Sequence, residues 1–450
     1  MNMENFKTIV LINLVVISLF LTFNLWTYVP DSNSMQSTKF VQGNAEAIKK
    51  DVSNVIVPSY MIVHKDKKHF ASEKRENINL LYRVIEKGEF HDFKDITITN
   101  SISKGDFLSY VHGEGKIEIV FPTEVPFDAI RGVLTIKDKK LDTYNFDRIV
   151  IDPSKSRDQN IDVNFVSYNH HKVYKMTLTG VNLSEIVNAQ NQFLALARPY
   201  FPYDINDTKR IFLPDGSTEM QGFLYFTRDL PVESFKNALF SDPRYVTPIS
   251  NELEETYTDG IRLMQINKQN RMLKYTNSSV VSGARMYGNI LMQRSFEFVN
   301  SHSGLTDAYR FDYLNSKGKT KFRLYEEDLP VFNSEGMTAL TQVWGAEELI
   351  SYKRPLFNLV IDKGEDKKTV LPAGWTVIES LQKNSDVDKK LIQDIGIGYK
   401  LVPENGPNGP NGQVVTGSLK PIWYVIYGED QQVFEWSEEK EGELIGLESD

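Results

Sequence analysis

Seven histidines, His64, His69, His91, His112, His170, His171 and His302, are the first candidates for chemistry. Neutral imidazole ligates metals and exchanges protons near neutral pH. No two of them have the H-x-x-x-H spacing that would place two rings on one helical face above a metal ion. His170 and His171 are adjacent at a turn between expected strands, where neighbouring side chains point to opposite faces. The spacing therefore predicts no metal site. Ser101 and Lys104 match S-x-x-K, the start of the penicillin-recognising serine enzymes, but the S-D-N and K-T-G elements that complete that machinery do not occur. Glu326, Glu327 and Asp328 form one acidic cluster, and Glu347 with Glu348 forms another. Glycoside hydrolysis needs two carboxyls facing each other across roughly 5–9.5 Å, and adjacent residues project apart, so both clusters read as solvated faces. No P-loop, G-x-S-x-G or G-x-G-x-x-G motif occurs. The aromatic runs Tyr309, Phe311, Tyr313 and Trp423, Tyr424, Tyr427 read as packing residues of strands. These patterns predict no catalytic residue and no cofactor.

A sharper signal lies near the N-terminus. Residues 9–29 (IVLINLVVISLFLTFNLWTYV) carry no charged side chain. A helix of that length spans about 30 Å, the hydrocarbon thickness of a bilayer. Trp26 and Tyr28 stand where amphipathic rings favour the headgroups, and Pro30 stops the helix. Asn13 and Asn24 are eleven residues apart, almost three turns at ~3.6 residues per turn, so both amides fall on one face with Ile17 and Phe20 between them. Lipid cannot satisfy a carboxamide, whereas a facing helix can. That face (Asn13, Ile17, Phe20, Asn24) is the expected partner-binding surface. Ser18 and Thr22 form a second, smaller polar stripe. The weak basic bias of Lys7, with no basic residue after the span before Lys39, favours a cytoplasmic N-terminus and an exported body. A cleaved signal is the rival reading, but the apolar run is long and ends without a small-residue cleavage site.

The body that these elements would anchor has no cysteine, which removes disulfides, thiolate metal sites, cysteine nucleophiles and a lipoprotein anchor together. The chain carries a net charge of −9, which disfavours nucleic acid and polyanionic wall polymers as partners. With 41% of the 450 residues aliphatic or aromatic, sizeable cores can be buried. At ~100–200 residues per domain, the body divides into two to four parts.

The expected fold class is α+β: a cytoplasmic tail (1–8), a transmembrane helix (9–29), a linker (30–57) with a short helix near 45–50, and three mixed α/β units at 58–182, 183–277 and 278–450. The first unit reads as strand 59–65, helix 74–87, strand 93–99, a strand at 115–122 ended by Pro122, a short helix 126–134, and strands 146–152, 161–169 and 172–181. The second reads as helix 183–197 stopped by Pro199, strands 209–214 and 222–226, helix 231–240 and a strand pair 258–266 and 271–277. In the third, 294–300, 308–315 and 320–326 read as strands, 346–352 as a helix, 357–362 as a strand, 376–383 as a helix, and 399–404 with 420–428 as a final strand pair around the GPNGPNG loop at 406–412. The shared order of helix and strand pairs in the last two units predicts a duplication.

The opening stretch FKTIVLINLVVISLFLTFNLWTYVPD, followed by a cysteine-free body, resembles the YycH proteins of low-GC Gram-positive bacteria. FLYFTRDLP (223–231), YTDGIRLM (257–264), YKRPLF (352–357) and IGIGYKL (395–401) extend the resemblance over essentially the whole chain. It implies a membrane-anchored, non-enzymatic regulator of an essential two-component system governing cell-wall metabolism. The implied partners are the sensor histidine kinase YycG, also called WalK, and a sister protein of the YycI kind. No catalytic residue comes with the family. The alternative left open by the residues is an external wall-directed binding protein or hydrolase.

Overall fold

The computed structural model describes residues 50–97, 107–141, 143–280, 288–302, 304–346, 348–362, 368–404, 416–438 and 442–448, together with Leu11, Leu14, Val15, Ile17 and Ser18. Those five N-terminal residues are helical and exposed. Among the described residues no helix is long and apolar enough to cross a membrane. Most of the expected span, Ser101 and Lys104, Glu347 and the 406–412 loop lie outside the described residues.

The described residues from Lys50 onward form one compact unit, built on two large sheets. The first holds ten strands: β1 (Tyr60–Lys65), β2 (Lys68–Ser72), β3 (Glu89–Asp95), β4 (Ile117–Pro126), β5 (Thr135–Ile136), β6 (Asn145–Ile151), β7 (Ile161–Ser167), β8 (Lys172–Thr179), β9 (Arg198–Asn206) and β10 (Lys209–Pro214). Their order is β10-β9-β2-β1-β4-β6-β7-β8-β3-β5, antiparallel except at the β3–β5 edge. Alternation sets the two faces. Met61 and Val63 of β1, Ile117 and Ile119 of β4, and Ile149 and Ile151 of β6 all point into the main apolar core. Helices α1 (Arg75–Glu86) and α4 (Leu183–Leu196) add Ile78, Leu81, Ile85, Ile186 and Phe193 to the same core. The N-terminus of α4 is closed by Glu185, whose side chain accepts the Asn182 N–H at 3.3 Å. Two short helices, α2 (Phe107–Val111) and α3 (Phe127–Ile130), complete this half.

The second sheet holds fifteen strands from Phe223 onward, and a two-stranded ribbon pairs Thr218–Gln221 with Lys368–Leu371. Helices α5 (Val232–Leu239), α6 (Gly288–Ser301) and α7 (Gly374–Lys383) pack on it. One continuous apolar core runs from Val55 through Phe127 to Trp344 and Trp436, so the two sheets share their interior. The boundary read at 182/183 falls inside the first sheet, which extends to Pro214.

Several local expectations are corrected. Residues 294–300, expected as a strand, belong to α6: Phe296 and Phe298 mimic a period of two, but Leu291, Met292, Ser295, Phe296 and Val299 are buried at helical spacing. Residues 346–352, expected as a helix, lead into the strand Leu349–Pro355, which pairs on both sides with Met272–Asn277 and Ala339–Trp344. Tertiary pairing overrides local propensity there. Pro122 does not end β4; the register shifts between Val120 and Val125, and the bulge accommodates the missing N–H. Pro199 ends α4 yet stands inside β9, an unexpected strand that also contains Pro202. The end of the expected linker is not a tether: Val55, Ile56 and Val57 are buried, and the Lys50 backbone exchanges two 2.9 Å hydrogen bonds with the Asn300 side chain.

The chain's last described strand, Glu443–Gly446, leads to buried Leu447 and to Glu448, which Lys321 (2.8 Å) and Arg323 clamp. Burial alone would raise the Glu448 carboxyl, but the two cations outweigh it and hold it at about 2. A carboxyl depressed in the folded state stabilises above its ordinary value of ~4.3 and loses that contribution as pH falls toward 2, worth roughly 3 kcal/mol. Urea titrations should therefore show Glu448→Gln less stable than wild type at pH 7, with the gap closing between about pH 4.5 and 2. A gap that stays constant over that range contradicts the ionic clamp.

Candidate functional site: a buried histidine–glutamate–arginine cluster

The face of the first sheet opposite the main core is polar at its centre. On β4 the run Ile117, Glu118, Ile119, Val120 puts Glu118 on this face, fully buried. On β1, Ile62 lies opposite Glu118 in register, so His64, two residues on, shares the same face. His69 of β2 sits directly across from His64. Arg148 of β6 lies opposite Val120 and diagonal to Glu118. His112 follows α2, which packs Phe107 and Val111 against Val150, Val166 and Val173 and so brings the ring down onto the sheet. Tyr168 follows β7, and Phe212 of β10 packs against the rings of His64, His69 and His112.

Glu118 accepts from all sides. Its Oε1 meets His64 Nε2 at 2.6 Å and His112 Nδ1 at 2.5 Å, and its Oε2 meets Arg148 Nη1 at 3.2 Å. Burial penalises the carboxylate, but His112 and then His64 outweigh that cost and hold Glu118 well below the usual carboxylate range. Burial likewise lowers His112, and drives His69 down to about 4 with the help of neighbouring His64. Glu118 is therefore held ionised beside His112, whose imidazole burial pushes toward the neutral form.

Each outer atom has a partner. His64 Nδ1 lies 2.6 Å from His69 Nδ1, and His112 Nε2 lies 2.7 Å from the Tyr168 hydroxyl. That hydroxyl also accepts the Arg210 N–H (2.8 Å) and lies 3.2 Å from the Arg210 carbonyl. Arg148 stacks on the Tyr168 ring at 3.7 Å and binds Asp147 at 3.1 Å, while Asp147 accepts the Tyr168 N–H at 2.7 Å. The protons of His64 and His112 thus each find a partner at either ring nitrogen, so these two rings can shift tautomer without changing net charge.

The cluster borders a cavity of about 210 Å³ lined by Tyr60, Arg148, Tyr168, Lys209, Arg323 and Asp394, residues drawn from both sheets. Burial raises the Asp394 carboxyl to about 6. A broader groove of about 1110 Å³ lies between Glu73, Arg198, Glu219, Lys368, Leu329 and Tyr399.

The residues singled out from the sequence fall elsewhere. Ile17 is helical and 53% exposed, while Asn13, Phe20 and Asn24 lie outside the described residues. Asp328 accepts the Arg75 N–H (2.8 Å) and pairs with Arg310, and Glu348 accepts from Asn277 (3.1 Å), so these carboxylates hold the fold. The histidine spacing excluded a shared helix but not a site assembled from two strands and a helix end. The legible signals were Glu118 within the apolar run IEIVF and His64 near the end of YMIVHK.

Comparison with known proteins places the chain. The model for the YycH protein N-terminal domain matches residues 4–195, and that for the YycH protein C-terminal domain matches residues 208–439. A curated relative, the two-component system WalR/WalK regulatory protein YycH of Bacillus subtilis (strain 168), is 27% identical over 465 residues, covering 100% of both chains. The crystal structure of YycH from Bacillus subtilis superposes with a TM-score of 0.72 at 22% identity, covering 87% of this chain and 99% of that one, which shows the same fold. The C-terminal model alone covers more than half of the chain, and on that match the chain belongs to the YycH family.

Proposed function

We propose that this chain is a single-pass membrane protein, N-terminus in the cytoplasm and body outside, that regulates a WalK-type sensor histidine kinase without catalysis. It acts together with a YycI-like sister protein, through contacts of its span and of its body. The observation that carries this reading is the full-length similarity to the WalR/WalK regulatory protein of Bacillus subtilis. Asp328 and Glu348, one from each acidic cluster read in the sequence, are tied to Arg75, Arg310 and Asn277, which supports a non-enzymatic role over a wall hydrolase.

In the span, Asn13 and Asn24 share a face with Ile17 and Phe20. Interhelical hydrogen bonds in membranes contribute about 0.6–1.7 kcal/mol each, so two of them shift a contact equilibrium roughly tenfold. Replacing both asparagines with leucine keeps the segment apolar and preserves insertion. Membranes carrying that variant should yield roughly tenfold less co-purified kinase or sister protein than wild type. Equal recovery from wild type and variant removes the span face from the proposal, and no recovery of kinase with wild type removes the proposal itself.

A further inference from the structure

We infer that His64, His112 and Glu118 form a binding site for one divalent cation of the zinc class, a property independent of the regulatory reading above. The three side chains are buried, and their ligand atoms lie within 4.8 Å of one another. Both imidazole nitrogens already converge on the same carboxylate oxygen, at 2.6 and 2.5 Å. Tetrahedral coordination with bonds of about 2.0–2.1 Å needs donors roughly 3.3 Å apart. Each nitrogen must therefore part from Glu118 Oε1 by less than about 1 Å. The two nitrogens, within 4.8 Å of each other, must settle at the same spacing. Two imidazoles and one carboxylate suit zinc and its borderline neighbours, whereas calcium and magnesium demand more oxygens. Three protein ligands leave one position for water.

The outer partners fit the metal-bound tautomers. For His64 to ligate through Nε2, its proton must move to Nδ1, which then donates to His69 Nδ1 at 2.6 Å. For His112 to ligate through Nδ1, its proton must move to Nε2, which then donates to Tyr168. The Tyr168 hydroxyl can turn its own proton to the Arg210 carbonyl while still accepting the Arg210 N–H, so no group is left unpaired. Arg148 holds Glu118 by Oε2, which leaves Oε1 for the ion. Glu118, Asp147 and Arg148 together carry one surplus negative charge, which favours a cation in this buried place.

The test uses the tag-free full-length protein in detergent, stripped with chelator and titrated with zinc chloride. Wild type should take up one zinc per chain, and His91→Ala with His170→Ala, which removes two imidazoles outside the cluster, should change nothing. His112→Ala and Glu118→Gln should each abolish saturable uptake. Tyr168→Phe should still bind, about tenfold more weakly, because the outer acceptor for His112 is gone. Since a ligand variant can fail by misfolding, zinc-edge X-ray absorption of the wild-type complex gives an independent readout: two imidazole nitrogens and one carboxylate oxygen at about 2.0–2.2 Å. Absence of stoichiometric uptake by wild type, retained uptake in both ligand variants, or an absorption spectrum without imidazole scattering overturns the inference.

Discussion

Arg148→Met is expected to destabilise the body by about 3–5 kcal/mol, because it strands two buried carboxylates at once. Arg148 is the only cation within ion-pair distance of Glu118 or Asp147 among the described residues, histidines aside. Its guanidinium also covers the Tyr168 ring at 3.7 Å, so methionine loses the stacking as well as the charge. Asp147 already sits above its ordinary range through burial, with Arg148 opposing the rise, and it would protonate more readily in the variant. A matched surface change sets the scale. Lys137 pairs with Glu89 at 2.8 Å with both side chains about half exposed, and Lys137→Ala should cost no more than roughly 0.5 kcal/mol. Combining Arg148→Met with Glu118→Gln should cost less than the sum of the two single changes, by 1 kcal/mol or more, since the second removes the charge the first strands. Denaturant midpoints of the four variants decide the matter. If Arg148→Met behaves like Lys137→Ala, the cluster does not hold the sheet face together.

Much of the fold was legible because its strands alternate. The runs that became β7 and β8 show apolar residues at every second position, β6 ends in the apolar run Ile149–Ile151, and α1 and α4 show helical spacing with a clear stop. The errors share a physical cause. Phe296 and Phe298 alternate only within a window too short to display Leu291 and Met292, and Leu349–Pro355 is a strand because two neighbours pair with it. Pro122 signalled the end of a strand that a bulge instead carries past it, whereas Pro199 does end α4 and what went unread is that β9 begins there. The buried cluster was beyond local reading. His64 and Glu118 are brought together by the register of β1 on β4, and His112 by the packing of α2, neither of which any short window contains.

The largest functional effect is expected from exchanging the whole of residues 9–29 for an unrelated apolar helix without asparagine. On the proposed single-pass reading the body would still be anchored, so any loss isolates what the native span contributes. By the range for two interhelical bonds the exchange removes about 1–3 kcal/mol, and ~1.4 kcal/mol is a tenfold change in a two-state equilibrium. A kinase poised between two states would shift by about that factor. The decisive measurement is the level of phosphorylated response regulator in cells whose native protein is replaced by the exchanged one. The account predicts a shift of about tenfold toward the level of cells lacking the protein, with body export and chain abundance unchanged. A level equal to that of wild-type cells would contradict it and assign the signalling to the external body alone.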